Sequence, residues 1–171
     1  MQTEQDPSKV FGRWFNWFSW IALLFILYWF FSGHIGRQEN PNQQVSTWHD
    51  GNVAVVELSQ NRAGHYLANG HINGRDVVFM LDTGATQVAI PGRMAAQLGV
   101  ERGPAVQVRT ASGIATAYRT EIAELQLGAI RLYNVAATIV PDYDSHHILL
   151  GMSALRSLEF TQRDGVLTIR Q

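Results

Sequence analysis

The sequence predicts a mostly-β domain, a small closed β-barrel with one or two short helices, behind a single transmembrane helix. Three observations carry that expectation. An uncharged apolar run occupies residues 14–31. From Val53 onward the texture changes to short apolar runs separated by glycine and by Asn-Gly or Asp-Gly pairs. That second stretch runs for about 120 residues, an ordinary size for one domain.

The first element is the apolar run WFNWFSWIALLFILYWFF, with Asn16 and Ser19 as its clearly polar members. About 18 uncharged residues are enough to cross a hydrocarbon core as a helix. Its tryptophans and Tyr28 lie towards the two ends, where amphipathic rings favour the headgroup region. A cleaved signal peptide would be shorter and would end in small residues, whereas this run ends in Tyr28, Trp29, Phe30 and Phe31. A buried core helix is the bland alternative, and it is weak because the segment is apolar all round and is followed by a polar stretch. Residues 14–32 are therefore read as an uncleaved anchor. Lys9 and Arg13 precede it and Arg37 follows, while Glu4 and Asp6 sit close by. That balance leaves residues 1–13 as a cytoplasmic tail and sends the following domain across the membrane. Residues 33–52 are polar and poor in aliphatics, so they read as a flexible tether.

The strands follow in order. Residues 53–58 form a first strand. Residues 66–72 and 75–81 flank Asn73-Gly74, a strong hairpin signal because both turn residues tolerate positive φ. Val77 to Leu81 is continuously apolar, which predicts a strand buried on both faces. Residues 88–90 make a short strand stopped by Pro91, and residues 93–98 suit one or two helical turns ending at Gly99. Residues 105–109 and 114–118 flank a second hairpin turn, Thr110-Ala111-Ser112-Gly113. Residues 121–127 and 130–140 add two strands, and residues 148–150 a short one ending at Gly151. Residues 153–158 suit a short helix, and a last hairpin turns at Asp164-Gly165. The sequence has no internal repeat.

Composition excludes several chemistries. There is no cysteine, which removes disulfides, thiol catalysis and cysteine zinc sites. The net charge is -1, with one lysine (Lys9) and scattered arginines, so no basic stripe marks a nucleic-acid partner. His65, His71, His146 and His147 lack the spacing of a zinc protease, and no metal or other cofactor is expected. Ser112 lacks the flanking glycines of a nucleophile elbow, and no phosphate-binding glycine loop occurs.

The chemistry points instead to Asp82-Thr83-Gly84-Ala85-Thr86, set directly after an apolar strand. An aspartate there stands at the mouth of a loop leaving the core. Thr83 offers a hydroxyl to a facing loop, and Gly84 lets the backbone come close and give its N–H to a carboxylate. Ala85 and Thr86 keep the loop small. A bland alternative is an Asx-turn at a strand end. Context favours the sharper reading: a flap-like hairpin follows about 30 residues later, and Ile148-Leu149-Leu150-Gly151-Met152 lies beyond it.

On those pieces the chain resembles the retropepsin-like aspartic proteases, and within them the bacterial single-domain, membrane-anchored members. The resemblance spans residues 53–171. It implies a barrel of the retropepsin (acid protease) type and Asp82 as the catalytic aspartate. Thr83 becomes the hydroxyl that locks facing loops together, and Gly84 the loop glycine. Thr110, Ala111, Ser112 and Gly113 become a flap over a bound peptide, one without the tyrosine that pepsin-like enzymes carry. Leu149, Leu150 and Gly151 become the strand supporting the catalytic loop. The same likeness implies a periplasmic domain on a bacterial inner membrane, a peptide or protein substrate, and a terminal strand at residues 166–170 pairing across a dimer.

Two carboxylates around one water are needed for this hydrolysis, one ionised and one protonated. Asp142 and Asp144 have no following Thr-Gly, and Asp50 and Asp164 sit in turns. One chain therefore supplies half a site, and a two-fold homodimer would bring Asp82 to its own copy. The rival readings are a non-catalytic periplasmic peptide-binding or assembly module on the same fold, and a membrane-tied peptide-sensing regulator.

Overall fold

A computed structural model describes residues 7–110 and 113–171. Ala111 and Ser112 of the expected flap, and Glu4 and Asp6 of the expected tail, lie outside the described residues. The chain divides into two units, Met1–Gln38 and Glu39–Gln171.

The first unit holds nearly all of helix α1, Pro7–Glu39. Within it Asn16–Glu39 is, among the described residues, the one helix long and apolar enough to cross a membrane. No proline or glycine interrupts residues 14–32, and leucine, isoleucine and phenylalanine dominate. The helix ends where Asn40 precedes Pro41, because a residue before proline is pushed out of the α region.

Among the described residues the second unit has eleven strands. They are β1 Ser46–Asp50, β2 Val53–Ser59, β3 Leu67–Ile72, β4 Arg75–Leu81, β5 Val88–Pro91, β6 Ala105–Thr110, β7 Gly113–Leu127, β8 Ile130–Val140, β9 Ile148–Leu150, β10 Glu159–Arg163 and β11 Val166–Arg170. A 3-10 turn covers Gly92–Met94 and a short helix, α2, covers Met152–Leu155. The Asn73-Gly74 and Asp164-Gly165 turns have positive φ at both residues, the geometry that matches the twist of flanking strands.

The strands form two sheets, and this corrects the expected closed barrel. One sheet has the order β1-β2-β11-β10, and the other β3-β4-β9-β5-β8-β7-β6. β3 also meets β7, but only through His71 with Gln126 and Ile72 with Leu125. That contact is too short to seal a wall, and β6, β1 and β10 remain edges. The mostly-β class with short helices stands. One apolar cluster joins the two sheets: Val56, Leu58, Leu167 and Ile169 pack with Phe79, Ile90, Ile122, Ile139, Ile148 and Leu150. Gly70 makes room for it, since a Cβ there would lie 2.4 Å from the Gln126 carbonyl oxygen and 2.6 Å from the Phe79 ring.

Other expectations change in detail. β11 lies between β2 and β10, so both its edges are occupied within the chain and it has none to offer a partner. β4 alternates, with Val77 and Phe79 buried and Val78, Met80 and Leu81 half-buried. The helical stretch expected at residues 93–98 shortens to one 3-10 turn, and that at 153–158 becomes Met152–Leu155. The two strands expected at 114–118 and 121–127 merge into β7, because Arg119 and Thr120 contain no breaker.

The stretch after α1 is not all tether. Ser46–Asp50 is a strand along β2, and Asn40 and Asn42 are buried. Asn42 accepts from the Ser59 N–H at 2.7 Å and donates to the carbonyls of Leu67 at 2.6 Å and Ser59 at 2.9 Å. Asn40 donates to Asn69 at 2.8 Å. Polar side chains in this segment serve as backbone partners, a role that composition alone does not reveal.

Candidate active site

Asp82 lies just past the end of β4, and its position is set by β9. Phe79, Met80 and Leu81 run parallel to Ile148, Leu149 and Leu150. The Asp82 N–H continues that ladder by donating to the Leu150 carbonyl at 3.2 Å. On its other side β9 meets β5 at Ala89, opposite Leu149. β9 is thus wedged between the two strands that the loop 82–87 connects, and Leu149 touches both legs.

The loop then folds on the aspartate. The Gly84 N–H donates to Asp82 Oδ1 at 2.8 Å, and the Ala85 N–H donates to the Asp82 carbonyl at 3.2 Å. Gly84 permits this close return; a Cβ there would lie 3.1 Å from Asp82 Oδ1. Asp82 is half-buried, and Thr83, Gly84 and Thr86 are exposed. A carboxylate held by a backbone N–H, at the open end of a strand, keeps one oxygen oriented and leaves the other for further chemistry.

Gly151 completes the support. It follows β9 and passes directly against the loop: a Cβ on it would lie 2.4 Å from the Gln87 carbonyl oxygen and 2.7 Å from that of Ala85. α2 begins there and gives its first N–H groups to the loop, Met152 to the Ala85 carbonyl at 2.8 Å and Ser153 to the Thr86 carbonyl at 3.0 Å. The Val88 N–H donates to Ser153 Oγ at 3.0 Å. The helix start therefore closes the loop's second leg.

The structure brings Asp82, Thr83, Gly84, Ala85, Thr86, Leu149, Leu150 and Gly151 into one assembly. Ser153 and Gln87 belong to it too, and sequence reasoning missed both. The signal for Ser153 was a serine two residues after Gly151, placed to accept from a neighbouring strand. Thr110 and Gly113 close the β6–β7 hairpin, where Thr110 Oγ1 donates to the Gly113 carbonyl at 2.8 Å. The side chains of Asp142 and Asp144 are exposed in the loop before β9, and Asp144 pairs with Arg93 at 2.6 Å. A cleft of about 700 Å³ opens elsewhere, among His71, Asp76, Val78, Met94 and His146. Its His71–Asp76 pair, 3.1 Å apart, is largely solvated. Among the described residues no group of three or more His, Cys, Asp or Glu is placed to hold a metal ion.

Comparison with known proteins gives one matching family and three similar proteins. A family model described as "gag-polyprotein putative aspartyl protease" matches residues 68–157, just over half of the chain. An uncharacterized protein in the cobV 5' region of a Sinorhizobium species is 32% identical over 123 residues, which are 69% of this chain and 52% of that protein. The chain thus spans about half the length of that curated relative. Among solved structures, a retropepsin-like aspartic protease from Rickettsia conorii aligns with a TM-score of 0.57 at 24% identity, over 74% of this chain and 95% of that one. EIAV protease in complex with the inhibitor HBY-793 aligns more loosely, with a TM-score of 0.46 at 17% identity, over 58% of this chain and 93% of that one.

Proposed function

The chain belongs to the gag-polyprotein aspartyl protease family, and from that membership we propose that it is a membrane-anchored aspartic endopeptidase acting as a homodimer. The observation that carries the reading is Asp82 in its loop, seated on β9 by the Leu150 carbonyl and oriented by the Gly84 N–H.

One chain brings one such carboxylate, so the reaction needs two copies of Asp82 around one water. The ionised copy takes a proton from the water as its oxygen attacks the peptide carbonyl carbon. The protonated copy gives its proton to the carbonyl oxygen. The tetrahedral diol then collapses: the first copy passes the water's proton to the leaving nitrogen, the C–N bond breaks, and a diol hydroxyl returns a proton to the second copy. Like charges at close range cannot both ionise, which divides the acid and base roles between two identical groups. The substrate would lie extended, with backbone hydrogen bonds along the cleft and side chains in alternating pockets. The β6–β7 hairpin would cover it.

The helix within Asn16–Glu39 supports an anchor, and Lys9 and Arg13 ahead of it favour a cytoplasmic N-terminus with the domain on the periplasmic side of a bacterial inner membrane. The test is cleavage of a denatured protein mixture by the full chain, from acid to neutral pH, beside Asp82→Ala. Cleavage that disappears in a folded Asp82→Ala supports the peptidase. A folded, dimeric wild type that cleaves nothing at any pH would turn the reading towards a peptide-binding module.

A further inference from the structure

Little chain separates the apolar run from the folded domain. The run ends at Phe31, and from Asn40 onward the chain is held by the second unit. Asn61 Nδ2 donates to the Glu39 carbonyl at 3.0 Å, and Asn40 Nδ2 donates to Asn69 Oδ1 at 2.8 Å. Asn42, buried, donates to the carbonyls of Leu67 and Ser59. The connecting stretch is therefore residues 32–39 alone. Even pulled straight, the chain from Phe31 to Asn40 reaches only about 30 Å.

Asp82 lies close to this point of attachment. Asn42 forms a parallel bridge with Ala68 of β3, and Ala68 pairs with Phe79 of β4, three residues before Asp82. Two steps of about 4.8 Å across the sheet and about 10 Å along β4 put Asp82 within roughly 15 Å of Asn42. Chain length alone then keeps Asp82 within roughly 55 Å of the end of the apolar run, however the two units are arranged. A long flexible tether would have let the site sweep a much deeper layer.

We infer that the substrates are themselves membrane-anchored proteins, cut in an unfolded stretch next to their membrane segment. A partner confined to the same bilayer gains effective concentration, but only where its cuttable stretch comes within reach of the site. A soluble protein has no such gain, and neither has a stretch carried far above the membrane. The stretch must be unfolded, because a cleft of this kind takes its substrate as an extended chain.

This substrate class rests on the reading of the chain as an anchored aspartic peptidase, and the test separates the two. A segment that the detergent-solubilised full chain cuts in unfolded casein is fused behind a single membrane-spanning helix in two forms. In the near form about 20 flexible residues join the two, and in the far form a helical spacer of about 80 residues lifts the segment by about 120 Å. Each is placed with the full chain in phosphatidylcholine vesicles at matched surface density, with Asp82→Ala as the blank. The near form should be cut at least about tenfold faster than the far form, or than the segment added as a soluble peptide. In detergent, where no bilayer sets the heights, both forms should be cut alike. The same helical spacer inserted between Gly36 and Arg37 of the full chain should reverse the order in vesicles while leaving casein cleavage in detergent intact. Equal rates for near and far forms in vesicles, or a lengthened chain that still prefers the near form, overturn the inference and leave the peptidase reading standing. Casein left uncut in detergent overturns both.

Discussion

The carbonyl oxygen of Gln87 occupies the space that a side chain on Gly151 would need, only 2.4 Å from an ideal Cβ. The backbone at Gly151 is ordinary, with φ -90° and ψ -175°. What glycine supplies there is room, not an unusual torsion. Because Ala85 and Gln87 are both pressed against it, the strand after Asp82 can fold back over β9. Gly151→Ala should therefore push the loop outward at a cost of about 2 kcal/mol. Urea denaturation measures the loss, and cleavage should fall with it, since the same loop carries Asp82. A variant as stable as wild type would show that the loop yields freely and that the contact sets nothing.

Asp82→Asn separates chemistry from structure. The amide keeps an oxygen to accept from the Gly84 N–H, now held at 2.8 Å by Oδ1. Stability should change by less than about 1 kcal/mol, because one neutral hydrogen bond replaces a charge-assisted one at a half-buried site. Cleavage should fall by about a thousandfold or more, since an amide can neither accept the water's proton nor share one with a second copy. Parallel thermal melts and cleavage assays check both halves. Retained cleavage would remove Asp82 from the chemistry.

How much of this was legible beforehand depends on the range of the signal. The Asn73-Gly74 and Asp164-Gly165 hairpins are local, fixed by two residues that tolerate positive φ, and both were readable. The loop at Asp82 was readable because its pattern is contiguous. Sheet closure was not, because it depends on how far β3 runs beside β7, and only His71 and Ile72 reach. The placement of β11 was hidden for the same reason. Its sequence reads as a terminal strand, but its position between β2 and β10 is a long-range choice made by Leu167 and Ile169 as they enter the core. The polar run after α1 looked like tether because asparagine is common in loops, and only the fold supplies Asn42 with partners from two strands.

Ser153 was missed for a related reason, since its partner lies on a distant strand, and it yields a third prediction. Its hydroxyl oxygen accepts from the Val88 N–H at 3.0 Å, and Val88 is fully buried. Ser153→Ala leaves that N–H without a partner, so about 1 to 2 kcal/mol should be lost. Ser153→Thr retains the oxygen and should recover most of it. Amide exchange at Val88 reports the effect directly: faster exchange in the alanine variant and near wild-type protection in the threonine variant. Equal exchange in all three would mean that the bond contributes nothing.

Asn42 gives the sharpest test of where the domain begins. Its side chain takes the Ser59 N–H and gives to the carbonyls of Leu67 and Ser59, while its backbone carbonyl accepts from the Asn69 N–H at 3.2 Å. It is 5% exposed, so water cannot readily replace those bonds. Asn42→Ala should cost about 3 kcal/mol, more than a typical hydrogen-bond deletion, because it strands groups on β2 and β3 at once. The same reasoning ranks two shortened proteins. A form starting at Asn40 keeps this cluster and β1. A form starting at Val53 loses both, leaving β2 with an open edge and the ends of β2 and β3 with unpaired groups. The longer form should unfold cooperatively on heating, and the shorter should melt much lower or aggregate. Equal melting temperatures for the two would show that residues 40–52 are tether after all, and that the asparagine contacts follow the fold without supporting it.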